Sequence, residues 1–265
     1  MKSRHWIDYP ATDLRIDPIR TIAILPTAAI EQHGPHLPVG VDTFINQGLC
    51  DLLAERCPDD LDIRLLPVQA VGKSNEHLWA PGTITLTVET AIKAWTEIGL
   101  SLARAGVKKM LIVNSHGGNM DINSIVAREL RVRAGMYCVR MGWGAGGVPE
   151  GVYSPQEAAQ GIHGGDNETS MMLHFRPDTV DMSKAEDFRW THNQGDIPPV
   201  GAIAHGWIAS DVNPAGVAGE AQLATADKGR VTAEHYVDGA IEVLRKMVAF
   251  DASTFAPVAD PFPAH

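Results

Sequence analysis

Cysteine is scarce in this chain of 265 residues, which contains three cysteines and no CxxC pair. An odd count makes a complete disulfide framework a poor explanation, so Cys50, Cys57 and Cys138 are expected to be thiols of a reducing compartment. The first residues lack the apolar run of a signal peptide. No stretch approaches the roughly 18 consecutive apolar residues of a membrane span. These absences predict a cytoplasmic protein that does not enter a membrane.

Clusters of basic side chains are also absent. The chain has 22 Lys and Arg against 32 Asp and Glu, which gives a formal net charge of -10. This balance argues against nucleic acids and anionic membrane surfaces as partners. Hydrophobic residues make up 45% of the chain, as is usual for globular proteins.

Short apolar runs alternate with helical patterns along the chain. Runs of this kind are typical of strands buried on both faces, and they occur at 21–25, 63–68, 110–113 and 136–140. Helical periodicity predicts helices from about residue 42, over 87–105, over 121–134, from about 167, and over about 221–250. The alternation indicates the α/β class, a single three-layer αβα domain with a mostly parallel sheet. We expect one domain over 1–250, followed by a proline-rich tail over 251–265 that forms an extended arm.

Metal-ligand side chains are concentrated in two loops that follow predicted strands. The first loop contains Glu31 and His33 and ends at Asp42, and the second contains His116. Functional groups of parallel α/β sheets gather at the carboxyl ends of strands. Histidines and carboxylates without thiolates suit zinc, manganese or iron(II) at a catalytic site. A carboxylate shared by two cations about 3.5–4 Å apart is typical of two-metal hydrolases.

Each of these residues also has a structural interpretation. Asp42 could cap a helix, His116 could lie in a turn, and Glu31 could be a surface charge. The metal-site hypothesis therefore rests on their combination in two strand-end loops.

Motifs along most of the chain resemble the creatininase (creatinine amidohydrolase) family. They are Glu31-Gln-His-Gly-Pro-His-Leu-Pro38 with Val41-Asp42, His77 with Pro81-Gly-Thr-Ile84, Asn114-Ser-His-Gly-Gly-Asn119, His163-Gly-Gly-Asp-Asn-Glu-Thr-Ser170, and Leu223-Ala-Thr-Ala-Asp-Lys-Gly-Arg230. The resemblance implies a creatininase-like fold, a homo-oligomer that is often a hexamer, and two divalent metal ions per chain. By motif position, Glu31, Asp42 and His116 would hold one ion. The other would be held by His33, Asp42 and Glu168, so that Asp42 is shared.

Two positions depart from creatininase. Creatininase carries a glutamate two residues after the histidine of the second loop, where this chain has Gly118. Glu168 is therefore the expected ligand, although a carboxylate in the first turn of a helix can also serve the helix dipole. Creatininase also has a Glu-His pair where this chain has Ile162 and His163. Creatinine is for that reason not the expected substrate.

The remaining candidates surround the predicted metal site. His163 is the candidate to carry a proton to the leaving nitrogen, with help from Asp166, and its alternative is a structural loop histidine. His77, Asn119 and Trp143 are candidate substrate-binding residues, and Trp143 could instead be a packing anchor.

The predicted function is hydrolysis of a C–N bond in a small cyclic amide or related amide by a metal-activated water. Other members of the family are a formamide hydrolase, a peptidase that trims a cofactor precursor, and a hydrolase that opens an oxidised inositol ring. These activities remain alternatives. A non-catalytic metal-binding assembly protein would instead have a closed metal shell and no substrate cleft. A nucleotide-binding domain is disfavoured because the glycines at 142–147 do not complete GxGxxG.

Overall fold

The computed structural model describes residues 3–191 and 197–256. Four strands form a parallel sheet, and they are β1 (Ile22–Thr27), β2 (Ile63–Leu65), β3 (Lys109–Asn114) and β4 (Tyr137–Gly142). The order is β2-β1-β3-β4. Ile22 of β1 pairs with Ile63 on one side and with Lys109 on the other. The four strands predicted from the sequence are confirmed. The strand β2 is shorter than the predicted run 63–68 and ends at Leu65, two residues before Pro67.

Helices cover both faces of the sheet. The helices are α1 (Val41–Arg56), α2 (Val88–Arg104), α3 (Met120–Ala134), α4 (Pro155–Gln160), α5 (Asp166–Phe175), α6 (Ala209–Val212) and α7 (Ala226–Ala249). Alternate side chains of β1 face opposite layers, as the pleat of a strand requires. Ile22 and Ile24 pack with α1, α5 and α7, whereas Ala23 and Leu25 pack with α2 and α3. The predicted three-layer α/β architecture is confirmed.

Local signals in the sequence set several helix ends. The Thr87 side chain accepts a hydrogen bond from the backbone N–H of Thr90 and so caps α2. Gly135 follows α3 with φ +64°, a left-handed conformation that glycine adopts at low cost. Because α1 begins at Val41, Asp42 is held in its first turn at the carboxyl edge of the sheet.

The start of the last helix differs from the sequence prediction, and two further features were not predicted. The last helix begins at Ala226 instead of 221, because Thr225 caps it and Ala221–Leu223 form a 3-10 turn. The glycine-rich segment after β4 contains a 3-10 turn, Trp143–Gly146, and is followed by α4. An antiparallel pair of two-residue strands, β5 (Asp187–Phe188) and β6 (Gly219–Glu220), lies outside the main sheet.

The first residues of the predicted tail are packed and do not form an extended arm. The ring of Phe255 lies 5.2 Å from that of Phe250 and 5.8 Å from that of Tyr137, and the guanidinium of Arg131 lies over it. Residues 257–265 of that tail lie outside the described residues. The division of the chain at residue 250 stays a prediction. Among the described residues, none of the helices combines the length and apolarity needed to cross a membrane.

Candidate metal centre and active site

Five predicted ligands meet at the carboxyl edge of the sheet. Glu31 and His33 lie in the loop after β1, His116 follows β3, Asp42 is in the first turn of α1, and Glu168 is in the first turn of α5. The first four are buried, and the Glu168 side chain is the most accessible, with 22% exposed. The fold therefore brings together residues that are up to 137 positions apart.

These side chains form two groups of three that share Asp42. Within each group, one ligand atom per residue lies within 4.8 Å of the others, and the groups are Glu31, Asp42 and His116, and His33, Asp42 and Glu168. The two oxygens of Asp42 face different histidines. Oδ1 is 3.8 Å from His33 Nε2, whereas Oδ2 is 3.5 Å from His116 Nδ1. Asp42 is thus positioned between the two groups.

Hydrogen bonds orient both histidines toward the centre of the cluster. The outer nitrogen of His33, Nδ1, donates to the backbone oxygen of Glu31 at 3.1 Å. The outer nitrogen of His116, Nε2, donates to the backbone oxygen of Lys73 at 2.9 Å. The opposite nitrogen of each ring then faces the carboxylates, and in the neutral ring it carries the lone pair that binds a metal. Metal-binding histidines are usually held in this way.

Several polar atoms in this cluster are buried without a hydrogen-bond partner among the described residues. They are both carboxylate oxygens of Glu31, Nε2 of His33 and Oδ2 of Asp42. Buried polar atoms are nearly always satisfied, so such a concentration calls for a ligand. The atoms are nitrogen and oxygen donors that converge from two sides, which is the donor set that zinc or manganese takes. The residues therefore fit divalent cations.

The charges of the cluster shift its pKa values strongly. Burial disfavours protonated His116, but the carboxylates of Glu31 and Asp42 outweigh it and raise the pKa of His116 to about 10. Burial, reinforced by the charge of Glu31, raises the pKa of Asp42 well above its usual value. Burial also lowers the pKa of His33 well below its usual value, which favours the neutral ring that binds metals. The carboxylates of the cluster thus carry more negative charge than its protonated histidine neutralises. Divalent cations would supply the missing positive charge.

Two further histidines stand beside Glu31. Nδ1 of His163 and Nε2 of His77 each lie 3.5 Å from Glu31 Oε1. The outer nitrogen of His163 donates to the backbone oxygen of Gln32 at 2.7 Å. The side chain of Gln32 donates to His77 Nδ1 at 2.8 Å, so that the Nε2–H of His77 is directed at Glu31. In the neutral rings, Nδ1 of His163 is therefore an acceptor toward the cluster, whereas Nε2 of His77 is a donor.

Asn119 is part of the framework of the site. Its side chain is fully buried, donates to the backbone oxygen of Ala28 at 3.0 Å, and accepts from the backbone N–H of Lys73 at 3.0 Å. It also donates to Asn114 Oδ1 at 3.2 Å. These bonds tie together the loops after β1 and β3, and they leave Asn119 little capacity to bind a substrate.

Trp143 directly follows β4 and is buried in the hydrophobic core. Its indole N–H donates to Asn46 Oδ1 at 3.0 Å. The ring also lines a cavity of about 350 Å³ that reaches His116 and Glu168. Trp143 therefore packs in the core and also borders the site.

Asp166 lies on a different side of α5 from Glu168. Its Oδ2 accepts from Lys228 Nζ at 2.5 Å, and its Oδ1 accepts from Ser170 Oγ at 2.9 Å. Asp166 is fully buried and belongs to none of the groups described above. Its Oδ2 is committed to a bond between α5 and α7, and its Oδ1 to a bond within α5.

An open cleft borders the cluster on the side of His77 and His163. Its volume is about 720 Å³, and its lining includes Glu31, Lys73, Glu76, His116 and the segment 199–201. A cleft of this size accommodates a small-molecule ligand. Its presence argues against the non-catalytic assembly protein, for which a closed shell was expected.

Sequence reasoning missed two residues at this site, Gln32 and Glu76. Gln32 orients His77, and Glu76 Oε1 lies 3.4 Å from His116 Nε2. The only signal in the sequence was their position next to His33 and His77. A position next to a predicted site residue in the sequence does not indicate whether the side chain points into the site.

Comparison with known proteins identifies the family. The model of the family described as creatinine amidohydrolase matches residues 10–244. The chain belongs to the creatininase family. The resemblance noted in its motifs is thereby confirmed, and the chain is an enzyme of the creatininase-family amidohydrolases.

Curated relatives have different substrates. The mycofactocin precursor peptide peptidase of Mycolicibacterium smegmatis is 29% identical over 238 residues, which is 89% of each chain. The creatinine amidohydrolase of Pseudomonas putida is 27% identical and covers 91% of this chain and 94% of its own. Among solved structures, a manganese form of creatininase has a TM-score of 0.69 at 26% identity, with 86% of this chain and 91% of that chain covered. The relatives of this chain thus include both a peptide peptidase and a creatinine amidohydrolase.

Proposed function

We propose that this creatininase-family chain hydrolyses an amide C–N bond at a centre of two divalent metal ions. Glu31, Asp42 and His116 would hold one ion, and His33, Asp42 and Glu168 would hold the other. The observation that carries the proposal is the set of buried, unsatisfied atoms on Glu31, His33 and Asp42. Zinc and manganese are the preferred ions, and iron(II) fits the same donors.

Divalent ions in such a site supply an activated water nucleophile near neutral pH and polarise a substrate carbonyl. The protein would contribute proton transfer through His163. The Nε2–H of His163 is held by the Gln32 backbone oxygen, so Nδ1 faces Glu31 and the cleft. This nitrogen is free to take a proton and to pass it to the leaving amine. His77 and Trp143 would border the substrate, whereas Asn119 and Asp166 would support the site through their internal bonds.

A small cyclic amide or a related amide is the substrate class that follows from the family. The open cleft of about 720 Å³ also has room for a larger amide. Ile162 and Gly118, which replace two glutamates of creatininase, also distinguish this site. A peptide bond is therefore the second candidate, and peptidases 29–30% identical to this chain support it.

The assembly and location follow from the family and the composition. We propose a homo-oligomer, a hexamer by resemblance, with a small-molecule substrate as its partner. A cytoplasmic location is consistent with three free cysteines, of which Cys50 and Cys57 are buried. Light scattering of the purified protein would measure the mass of the assembly, and a monomer would contradict the oligomer.

Metal analysis combined with an activity panel tests the proposal. Protein purified without chelators would be compared with Asp42→Ala and with the control Glu55→Ala. Glu55 is an exposed carboxylate of the same helix, α1. The panel would contain cyclic amides, formamides and short peptides.

We expect about two ions per chain and turnover of a panel member in the wild type and in Glu55→Ala. Asp42→Ala should lose metal and activity together, because Asp42 faces both groups. Wild-type protein without bound metal, or full activity in Asp42→Ala, would refute the two-metal centre. Turnover of peptides but not of cyclic amides would favour the second candidate.

A further inference from the structure

Gly118 lies next to His116 where there is no room for a side chain. A Cβ at this position would lie 2.4 Å from Glu76 Oε1, 2.5 Å from His116 Nε2 and 2.6 Å from the backbone oxygen of Lys73. Gly118 does not have a positive φ. The position therefore requires glycine because of its neighbours, and the backbone conformation imposes no such need.

The carboxylate of Glu76 fills the space beside Gly118. Glu76 lies in the 3-10 turn Asn75–His77, and its Oε1 is 3.4 Å from His116 Nε2. The same ring nitrogen donates to the backbone oxygen of Lys73. Lys73 Nζ is 3.9 Å from the other oxygen of Glu76. Residues 73–76 therefore surround the outer nitrogen of His116 with one carbonyl and one carboxylate.

The opposite nitrogen of His116 faces the cluster. Nδ1 is 3.2 Å from Glu31 Oε1 and 3.5 Å from Asp42 Oδ2. Glu76, the His116 ring and the Glu31–Asp42 pair are thus arranged in series. The Lys73 carbonyl holds the ring through its N–H, and the Glu76 carboxylate behind the ring adds negative charge that increases the basicity of His116 as a ligand.

We propose that Glu76 is a positioning residue that strengthens binding of the ion held by Glu31, Asp42 and His116. Creatininase has a glutamate at the position of Gly118, whereas in this chain the carboxylate of Glu76 occupies the space beside Gly118. The inference rests on the proposed metal centre. It assigns a role to the glycine as well, since only the absence of a side chain at 118 lets Glu76 reach His116.

The competing explanation is that any negative charge in the cleft strengthens metal binding. A substitution of Asp121 distinguishes this explanation from the role proposed for Glu76. Asp121 is an exposed carboxylate that lines the same cleft. In the described part of the chain no ion pair joins it to His116. Asp121→Asn therefore removes one negative charge from the cleft and leaves the series through His116 intact.

The test measures metal affinity on the full-length chain. Metal-free wild type, Glu76→Gln, Glu76→Ala and Asp121→Asn would be titrated with Mn²⁺ or Zn²⁺ in competition with a chromophoric chelator. We expect two binding steps in the wild type. In the Glu76 variants the metal affinity of one step should fall by about 10- to 100-fold, as is typical when a group that orients a metal ligand is lost. Glu76→Ala should bind more weakly than Glu76→Gln. The other step, and both steps of Asp121→Asn, should stay close to wild type.

Two binding steps in the wild type that do not change in the Glu76 variants would refute the role of Glu76 and leave the metal centre standing. Equal weakening in Asp121→Asn would also refute it, in favour of a general charge effect. A wild type that binds no ion would refute the metal centre and the role of Glu76 together. Circular dichroism of each metal-free variant would show whether it is folded, and Glu76→Gln keeps the size of the side chain if Glu76→Ala does not fold.

Discussion

At the scale of single residues, the site combines deep burial with unsatisfied hydrogen-bonding capacity. Glu31 and His33 are about as buried as the apolar core, yet both oxygens of Glu31 and Nε2 of His33 have no hydrogen-bond partner in the described structure. Leaving buried polar groups unpaired costs on the order of 1–3 kcal/mol each. A folded protein keeps such groups when a ligand compensates them. The hydrogen bonds that fix the His33 and His116 rings support the same interpretation.

The role proposed for His163 predicts a separation of catalysis from metal binding. His163→Gln should lower kcat by about 10²- to 10⁴-fold, because general acid–base catalysis typically contributes that much. Metal content should remain at the wild-type value. Steady-state kinetics and elemental analysis on the same samples check this, with His235→Gln, an exposed histidine of α7, as control. Loss of metal in His163→Gln would make His163 a ligand and refute its assignment as a proton carrier.

Asp166 should behave as a structural residue. Asp166→Asn removes a charge-assisted bond from Lys228, and such bonds contribute about 1.5–3 kcal/mol. We expect a lower free energy of unfolding in urea and little change in kcat of the folded enzyme. A kcat reduced by more than about 100-fold, with stability unchanged, would restore Asp166 as a catalytic residue.

The ligand residues of the loops after β1 and β3 could be predicted from the sequence because they follow strands. The loops that contain Glu31, His33 and His116 begin where apolar strands end, and parallel strands end at one edge. The roles of Asp166 and Glu168 were not accessible in this way. Residues two apart on a helix point about 200° apart, so only one of them faces the cluster. Which one does so depends on how α5 packs, and that is decided by contacts with α7.

At the scale of elements, the packing of α5 on α7 sets the position of Glu168. Gly229 of α7 is buried against the backbone of Ser170, and a Cβ at 229 would lie 2.0 Å from the Ser170 oxygen. The helices can approach this closely only because residue 229 has no side chain. Ser170 lies two residues after Glu168, so a shift of α5 would move this proposed ligand.

Two glycines of α7 should respond to alanine with opposite signs. Gly229→Ala should destabilise the protein by about 1–3 kcal/mol, because the new methyl overlaps α5. Gly239→Ala should stabilise it by about 0.5–1 kcal/mol, because alanine favours the helix and no atom of the described residues lies within 4 Å of the new Cβ. Urea unfolding of both variants measures the two effects. Stabilisation by Gly229→Ala would contradict the close contact between the helices.

The sheet and its flanking helices were largely predictable, whereas the segments that cover the site were not. Continuous apolar runs such as Met110–Val113 have few alternatives to a buried strand. The start of α7 was misplaced because the 3-10 turn Ala221–Leu223 continues a helix-like composition up to the Thr225 cap. The strands β5 and β6 have two residues each, too few for a periodic pattern.

At the scale of the whole molecule, metal binding should contribute to stability. The proposed ligands come from the loops after β1 and β3 and from α1 and α5, so bound ions would connect segments up to 137 positions apart in the sequence. A ligand that binds only the folded state at 100 times its Kd stabilises a protein by about 2.7 kcal/mol. For a chain of this size, that corresponds to an increase in Tm of about 5–10 °C.

Removal of metal should therefore lower Tm. Differential scanning fluorimetry would compare wild type and Asp42→Ala after treatment with a chelator and after addition of Zn²⁺ or Mn²⁺. The wild type should regain the lost Tm when metal is added, and Asp42→Ala should show no comparable increase. An equal increase in both proteins would mean that the ions stabilise the fold at a different place.

The most direct test of the two-metal centre is anomalous X-ray diffraction from crystals of the protein loaded with Mn²⁺. We predict two peaks about 3.5–4 Å apart on either side of the Asp42 carboxylate. Glu31 and His116 should border one peak, and His33 and Glu168 should border the other. A single peak at this carboxylate, or two peaks located away from Asp42, would contradict the account.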